Sequence, residues 1–592
     1  MSLATSARAD EPALAALFPS QTFAYAEIRD LTLIMDVWAG FVKGTPFEGS
    51  LKTSADRKDQ QDRTDRSVSP AQLQAQTTFD QIGIFSSPEF QREVKKFKGI
   101  AVGVTGWRAT GKPEFLAVIQ TGESQSAGLI VRMILLSHPE FRRVASWGDI
   151  PVYQSKPPEV NIPVEGKERF AEAAKPKPES NIPTFAYRPG LFVLGSQHSD
   201  VIQVLKRFEG KGDEKITFAY SDRFRATRIL QKPRSLFLFA SPRTAFEKWE
   251  PLARSHPDWD ESTFAGWMRF VVNPSAIPSV AANVSFGHDG WSAVCQIDAD
   301  PAKSSPLLGM IGEGRDDRFS LDQTGFLWNA TDRSGERLLT LADAIAKARG
   351  TVGRLPSDIV RKADADTGSA WKSTLLPAIE SISFVPFKRN DPRDRSAVVI
   401  RLSNADRAAE WVRAFPGLLR AADPNDSPVS PSEETIDMIP VHSFALAQGT
   451  LSTIHLARKG NRISIALSRD VAAKAVQMDT VQTAKADKPV SFAGRFSWNQ
   501  LDGDDGRKPN RLKPPVEPPA TISDVLSPLP EVSFSAVRQK NAPRITIQFE
   551  QRGVDSVAIK QCLKALAKWW EMTQDKSQNG TEIPNRDPLG FR

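Results

Sequence analysis

The sequence predicts an α+β protein built as a tandem duplication of two related lobes, each with a mainly antiparallel sheet and helices packed on it. Two observations predict this. Short, aromatic-rich apolar runs are joined by tight polar turns, without the strict strand–helix alternation of parallel sheets. The second half also begins again as the first does. Gln21-Thr22 leads through an apolar run to Asp30, and Gln323-Thr324 leads through another to Asp332.

In chain order, TFAYAEI at 22–28 alternates as a half-buried strand should. Leu31, Ile34, Met35 and Trp38 recur at helical spacing, and residues 41–80 are polar enough for a long loop. Phe90, Val94 and Phe97 mark a short helix before the strands IAVGV and FLAVIQ. GLIVRMILLSHPEFRRV reads as a helix with a break at Pro139. Residues 154–183 are rich in Pro, Lys and Glu and read as an exposed linker. Two strands follow about Arg188-Pro189-Gly190, then a helix at 200–208 and the strand SLFLFAS. The first copy closes on a hairpin, ANVSFGHDGWSAVCQIDA, and the short helix SPLLGMI.

The second copy keeps that order with shorter connections. ISFVPF and AVVIRL match IAVGV and FLAVIQ, and NADRAAEWVRAF replaces the helix after Gly128. IPVHSF matches IPVYQ, ISIALS with its helix matches LFVLGS, and residues 490–498 replace SLFLFAS. EVSFSAVRQKNAPRITIQF repeats the hairpin, and VAIKQCLKALAKWW closes the copy. Self-similarity that keeps its order over this many pieces is the signature of duplication. The expected division is 1–12 a remnant of a signal-peptide region, 13–316 the first lobe, 317–572 the second lobe and 573–592 a disordered tail.

The opening ALAALFPSQTFAYAEIRDL resembles the start of large bacterial exported proteins of unknown function. Those open with a Leu-Phe/Leu-Pro-x-x-Thr-x-x-Tyr-x-Glu pattern just after the signal peptide. The later run of SISFVPF, AVVIRL, NADRAAEWVRAF, IPVHSF and ISIALSRDVAAKAV is similar to them as well. The resemblance implies export and a duplicated α+β fold, and it carries no activity or site residues. Ala7-Arg8-Ala9 before Asp10 fits a cleavage site that lacks its preceding basic and apolar regions. The expected location is therefore the periplasm or cell envelope, with the cytoplasm as the alternative.

Composition narrows the function classes. With 592 residues, 40% hydrophobic and 25% charged, the chain is an ordinary multi-domain globular protein. No apolar run approaches the roughly 18–20 residues of a membrane-spanning helix. The net charge of +7 comes from 77 basic against 70 acidic residues spread along the chain. That diffuse excess argues against nucleic-acid binding, which gathers Lys and Arg on one face. Two cysteines, Cys295 and Cys562, exclude a disulfide scaffold and read as buried thiols.

Catalytic signatures fail one by one. GWRATGKP at 106–113 nearly spells a phosphate loop, but Pro113 stands where the hydroxyl belongs and a strand follows, so it reads as a hairpin turn. The acidic run at 502–506 lacks the glutamate that an EF-hand loop needs, since Lys513 stands there. No two of the six histidines share metal-ligand spacing, although His442 and His455 lie on neighbouring predicted strands and could meet. Gly309–Gly314 has glycines without the setting of a dinucleotide loop, and no G-x-S-x-G is present. No catalytic residue, metal ligand or cofactor is assigned.

Thirteen tryptophans against four tyrosines leave a binding role open. Tryptophans in loops can line a groove for a peptide or glycan. The candidate ligand-binding residues are Trp249, His256, Trp259 and Trp267. The leading reading is a non-enzymatic binding or structural component of the cell envelope, with an envelope protein or polymer as partner. The second is an enzyme with a site in the cleft between the lobes, for which His256–Glu261 would supply acid and base groups. The third is a nucleic-acid-binding protein.

Overall fold

In a computed structural model, the described residues lie within 13–36, 92–155, 183–254, 263–313, 325–387, 396–423, 431–445, 453–478, 491–496 and 529–562, apart from short gaps. They form helices and extensive antiparallel sheet, an α+β architecture. The chain divides into two compact units. The first is Met1–His256, Ser279–Ala293 and Asp555–Asn585, and the second is Pro257–Pro278, Val294–Val554 and Arg586–Arg592. These divisions differ from the expected 316/317 boundary, because segments 257–278 and 294–316 group with the second unit.

The first ten strands are β1 (Ala24–Arg29), β2 (Gly99–Trp107), β3 (Pro113–Gln120), β4 (Phe141–Trp147), β5 (Ile150–Ser155), β6 (Thr184–Arg188), β7 (Leu191–Gly195), β8 (Ser235–Ala240), β9 (Ser279–Gly287) and β10 (Gly290–Asp298). In the first unit β1 to β9 run in the order β9-β8-β1-β2-β3-β7-β6-β5-β4, all antiparallel. The next ten are β11 (Gly325–Asn329), β12 (Ile379–Pro386), β13 (Ser396–Leu402), β14 (Pro431–Ile436), β15 (Ile439–Ala445), β16 (Thr453–Lys459), β17 (Arg462–Ala466), β18 (Phe492–Phe496), β19 (Val532–Arg538) and β20 (Arg544–Arg552). In the second unit β11 to β19 run in the order β19-β18-β11-β12-β13-β17-β16-β15-β14, again antiparallel. Strand for strand, the order is the same.

The register agrees too. In the first unit Val118, Val193, Ala186 and Val152 form one rung across β3, β7, β6 and β5, fully buried. In the second, Val399, Ser464, Ala457 and Val441 form the corresponding rung across β13, β17, β16 and β15. Helix α1 (His198–Phe208) follows β7, buries Val201, Val204 and Leu205, and leads towards α2 (Pro242–Ala253) after β8. Its counterpart after β17 is a nine-residue helix, Arg469–Gln477, described below as α6.

The opening Leu14–Leu17 turn lies on the first sheet because two strand positions carry no side chain. A Cβ on Gly103 would sit 2.9 Å from the Phe18 ring, and one on Gly99 would sit 2.7 Å from Leu14 Cδ1. Phe18, Tyr25, Phe218, Phe224, Phe237 and Phe239 then fill the space as edge-on and tilted ring pairs.

The sheet of the second unit carries helices on both faces. Helices α3 (Ser334–Ala348), α4 (Pro356–Thr367), α5 (Ala405–Ala422) and α6 (Arg469–Gln477) belong to it. Ala397 and Val399 of β13 face a core with α6, whereas Ile400 and Leu402 face a core with α4 and α5. AVVIRL is nearly continuous in apolar residues, and a strand covered on both faces needs that pattern. Trp371, fully buried, meets Trp411 of α5 edge-on at 5.0 Å in the latter core.

A second correction concerns GLIVRMILLSHPEFRRV, whose end is strand and not helix. Phe141-Arg142-Arg143-Val144 opens β4, past the break at Pro139. The expected loop at 41–80, the acidic run at 502–506 and the tail at 573–592 lie outside the described residues.

Candidate functional site

Among the described strands, each sheet ends in a hairpin whose outer strand has one neighbour. β4 pairs with β5 and β14 pairs with β15, and among the described strands neither has a second neighbour. Both hairpins close through two residues: Trp147 faces Ile150, and Ile436 faces Ile439. In the second hairpin both turn residues, Asp437 (φ 48°) and Met438 (φ 62°), are left-handed, as a tight turn matched to strand twist requires. Met438 adopts that conformation without a glycine and lies exposed.

An outer strand presents a row of backbone donors and acceptors to anything that can add another strand. Its side chains decide what that can be. Arg142, Arg143 and Val144 are exposed on β4, and Glu433 and Glu434 are exposed on β14. Successive side chains alternate across a strand, so each edge shows one charge on each face. The first edge is cationic and the second anionic. β4 carries a bulge between Arg143 and Ala145, which leaves Val144 unpaired with β5.

Neighbouring groups fix both hairpins. Trp147 Nε1 donates to Glu209 Oε2 at 2.9 Å, and Arg188 Nη1 and Lys211 Nζ donate to the same carboxylate at 2.8 and 3.0 Å. The bonds from Lys211 and Trp147 hold the Glu209 carboxyl below its ordinary range. Lys206 and Lys211 also stand over the Trp147 ring, 4.9 and 5.6 Å from its centroid. This knot ties the β4–β5 tip to the end of α1. At the corresponding places of the second unit stand Ile436, Lys459 and Gln477 for Trp147, Arg188 and Lys206. There, Arg469 of α6 bonds Glu434, and His442 Nδ1 lies 3.8 Å from Glu433 Oε2.

His442 of β15 and His455 of β16 do not meet. His442 pairs with Leu456 and His455 with Ser443, so their side chains leave opposite faces. His455 Nδ1 instead shares a 2.8 Å hydrogen bond with the Ser443 hydroxyl. Burial, and then Arg469, push its pKa below the ordinary 6.5.

The tryptophan candidates are distributed differently from the sequence expectation. Trp249 lies half-buried on α2 in the first unit, beside Phe246. Trp267 belongs to the second unit, in the helical segment Thr263–Val272, where it packs with Val271 and with Leu341, Ala344, Ile345 and Ala348 of α3. His256 and Trp259 lie outside the described residues. GWRATGKP joins β2 to β3 as a hairpin turn, with Trp107 facing Pro113. Both cysteines are free thiols. Cys562 is buried and Cys295 half-buried, and burial pushes the Cys295 thiol up to about 11. Among the described residues no group of three His, Cys, Asp or Glu is placed to hold a metal.

Sequence reasoning missed the four edge charges. A run of exposed residues has no apolar period, so PSEETI was not read as a strand. The usable signal was the matched pair IPVYQ and IPVHSF, since a hairpin partner should precede each.

No family model matches the chain, and no curated protein matches it. Among solved structures, crystal forms I, III and IV of TP0453 are similar over 51, 50 and 49% of this chain and 84, 84 and 81% of that one, each with 8% identity and a TM-score of 0.24. Likeness at that level assigns neither fold nor function.

Proposed function

We propose that the protein is a non-enzymatic binding or structural component of the bacterial cell envelope, made by tandem duplication of one lobe, that engages its partner through the outer strands β4 and β14. The observation that carries this reading is the pair of open, oppositely charged edges at the same place in two sheets of the same strand order. Shared order, shared two-residue hairpins and a shared buried rung support common descent of the lobes. The positions of the shared buried rung are apolar or small in both units, while the edges carry opposite charge, which is the divergence expected where the edges carry the role. The envelope location rests on the resemblance of the opening segment to exported bacterial proteins. No described helix is long and apolar enough to cross a membrane.

Cell fractionation after expression with the natural upstream codons tests the location. A chain beginning at Asp10 in the envelope fraction supports it, and a cytosolic chain retaining Met1 contradicts it.

A further inference from the structure

We propose that the partner at these edges is a second copy of the same chain, with β4 of one copy adding to β14 of the next. The inference rests on the edge reading above and does not depend on cellular location. Its ground is charge register. If the two strands run antiparallel with Arg142 opposite Glu434, then Arg143 falls opposite Glu433. One Arg–Glu pair then forms on each face of the joined sheets. Pairing β4 with β4 sets arginines against arginines, and pairing β14 with β14 sets glutamates against glutamates. Both like pairings are repulsive. The charges therefore reject pairing of either edge with itself and select a β4–β14 contact, which closes into a ring or continues as a filament.

The flanking groups are consistent with this direction. Arg469 already bonds one oxygen of Glu434, and His442 lies near Glu433, so an arriving Arg142 shares the Glu434 carboxylate through its second oxygen. On the cationic edge the Trp147–Glu209 bond holds the hairpin tip. The bulge at Val144 sits just past the two arginines and sets the end of the paired segment.

Light scattering of the full chain tests the inference. Mass should rise with protein concentration at roughly 0.1 M salt and return to monomer near 1 M, where the screening length falls to about 3 Å. The double variants Arg142→Glu/Arg143→Glu and Glu433→Arg/Glu434→Arg should each remain monomeric, with unchanged circular dichroism. Mixed together they should associate again, because each then finds an opposite edge on the other. A wild type that stays monomeric at every concentration, or double variants that associate as it does, overturns the proposal. Hydrogen exchange separates this from the edge reading. In a monomeric chain, slowed exchange on β4 with an added strand-forming acidic peptide of unrelated sequence overturns self-pairing and leaves the edge reading standing. No slowing with any peptide overturns both.

Discussion

Tyr25 donates its phenolic hydrogen bond to Glu27 Oε2 at 2.8 Å, with both side chains buried under the first sheet. At the matching register of the second unit stands Leu327: Glu27 pairs with Ala101 on β2, and Leu327 with Ser383 on β12. One unit thus has a carboxylate where the other has a methyl-bearing side chain. Arg29 pairs with the second oxygen of Glu27. Glu27→Leu should therefore destabilise the chain by about 2–3 kcal/mol, because it strands the Tyr25 hydroxyl and removes the partner of Arg29. Glu27→Gln should cost less, and Tyr25→Phe added to Glu27→Leu should recover part of the loss. Denaturant midpoints of the three variants measure this.

Alkaline titration should report on Tyr25. Burial, and then the Glu27 charge, hold its pKa well above the ordinary 10. The folded state therefore favours the protonated phenol. Its contribution to stability is complete below pH 10 and is lost as pH rises above that towards the folded value. Ultraviolet titration should show Tyr25 ionising only with unfolding, and Tyr25→Phe should flatten the alkaline decline.

His455 gives the opposite dependence. Its folded pKa lies below the ordinary 6.5, so the neutral ring is favoured in the folded state. The stability it contributes is present above pH 6.5 and is lost as pH falls through the folded pKa. His455→Gln should remove that acid-side loss, measured as denaturation midpoints across pH 4–8, while the Ser443 bond is retained through the amide.

Gly103 and Trp371 test the two cores separately. Gly103→Val should cost about 1–3 kcal/mol, since its first carbon already meets the Phe18 ring. Trp371→Ala should cost about 3–5 kcal/mol by opening a cavity beside Trp411. Trp371→Phe should cost less, because Trp371 Nε1 is buried without a hydrogen-bond partner among the described residues. Thermal unfolding of the three variants measures these costs.

The interior strands were legible in the sequence because each is an apolar run between turn residues. IAVGV, FLAVIQ and AVVIRL fall in strands, LFVLGS and ISIALS begin in them and run one or two residues past, and TFAYAEI runs into β1. The edges were not. FRRV was absorbed into a preceding helical pattern, and PSEETI resembles a solvated loop, since an exposed strand needs no apolar alternation. Helices on both faces of the second sheet were missed for a related reason. PSDIVRKADADT buries only Val360 and Ala363, too few to mark α4 by its periodicity. Tryptophan count pointed towards a binding groove, yet Trp267 and Trp371 pack against apolar side chains, and Trp147 serves as an anchor for a hairpin.

Hydrogen exchange on the amides of 141–147 and 431–436, followed as the full chain is concentrated at low salt, tests the central claim most directly. The outer strands should exchange fast in the dilute chain and slow together as association proceeds, while β7 and β17 stay unchanged. Fast exchange that persists on either edge while the protein associates would contradict pairing through β4 and β14.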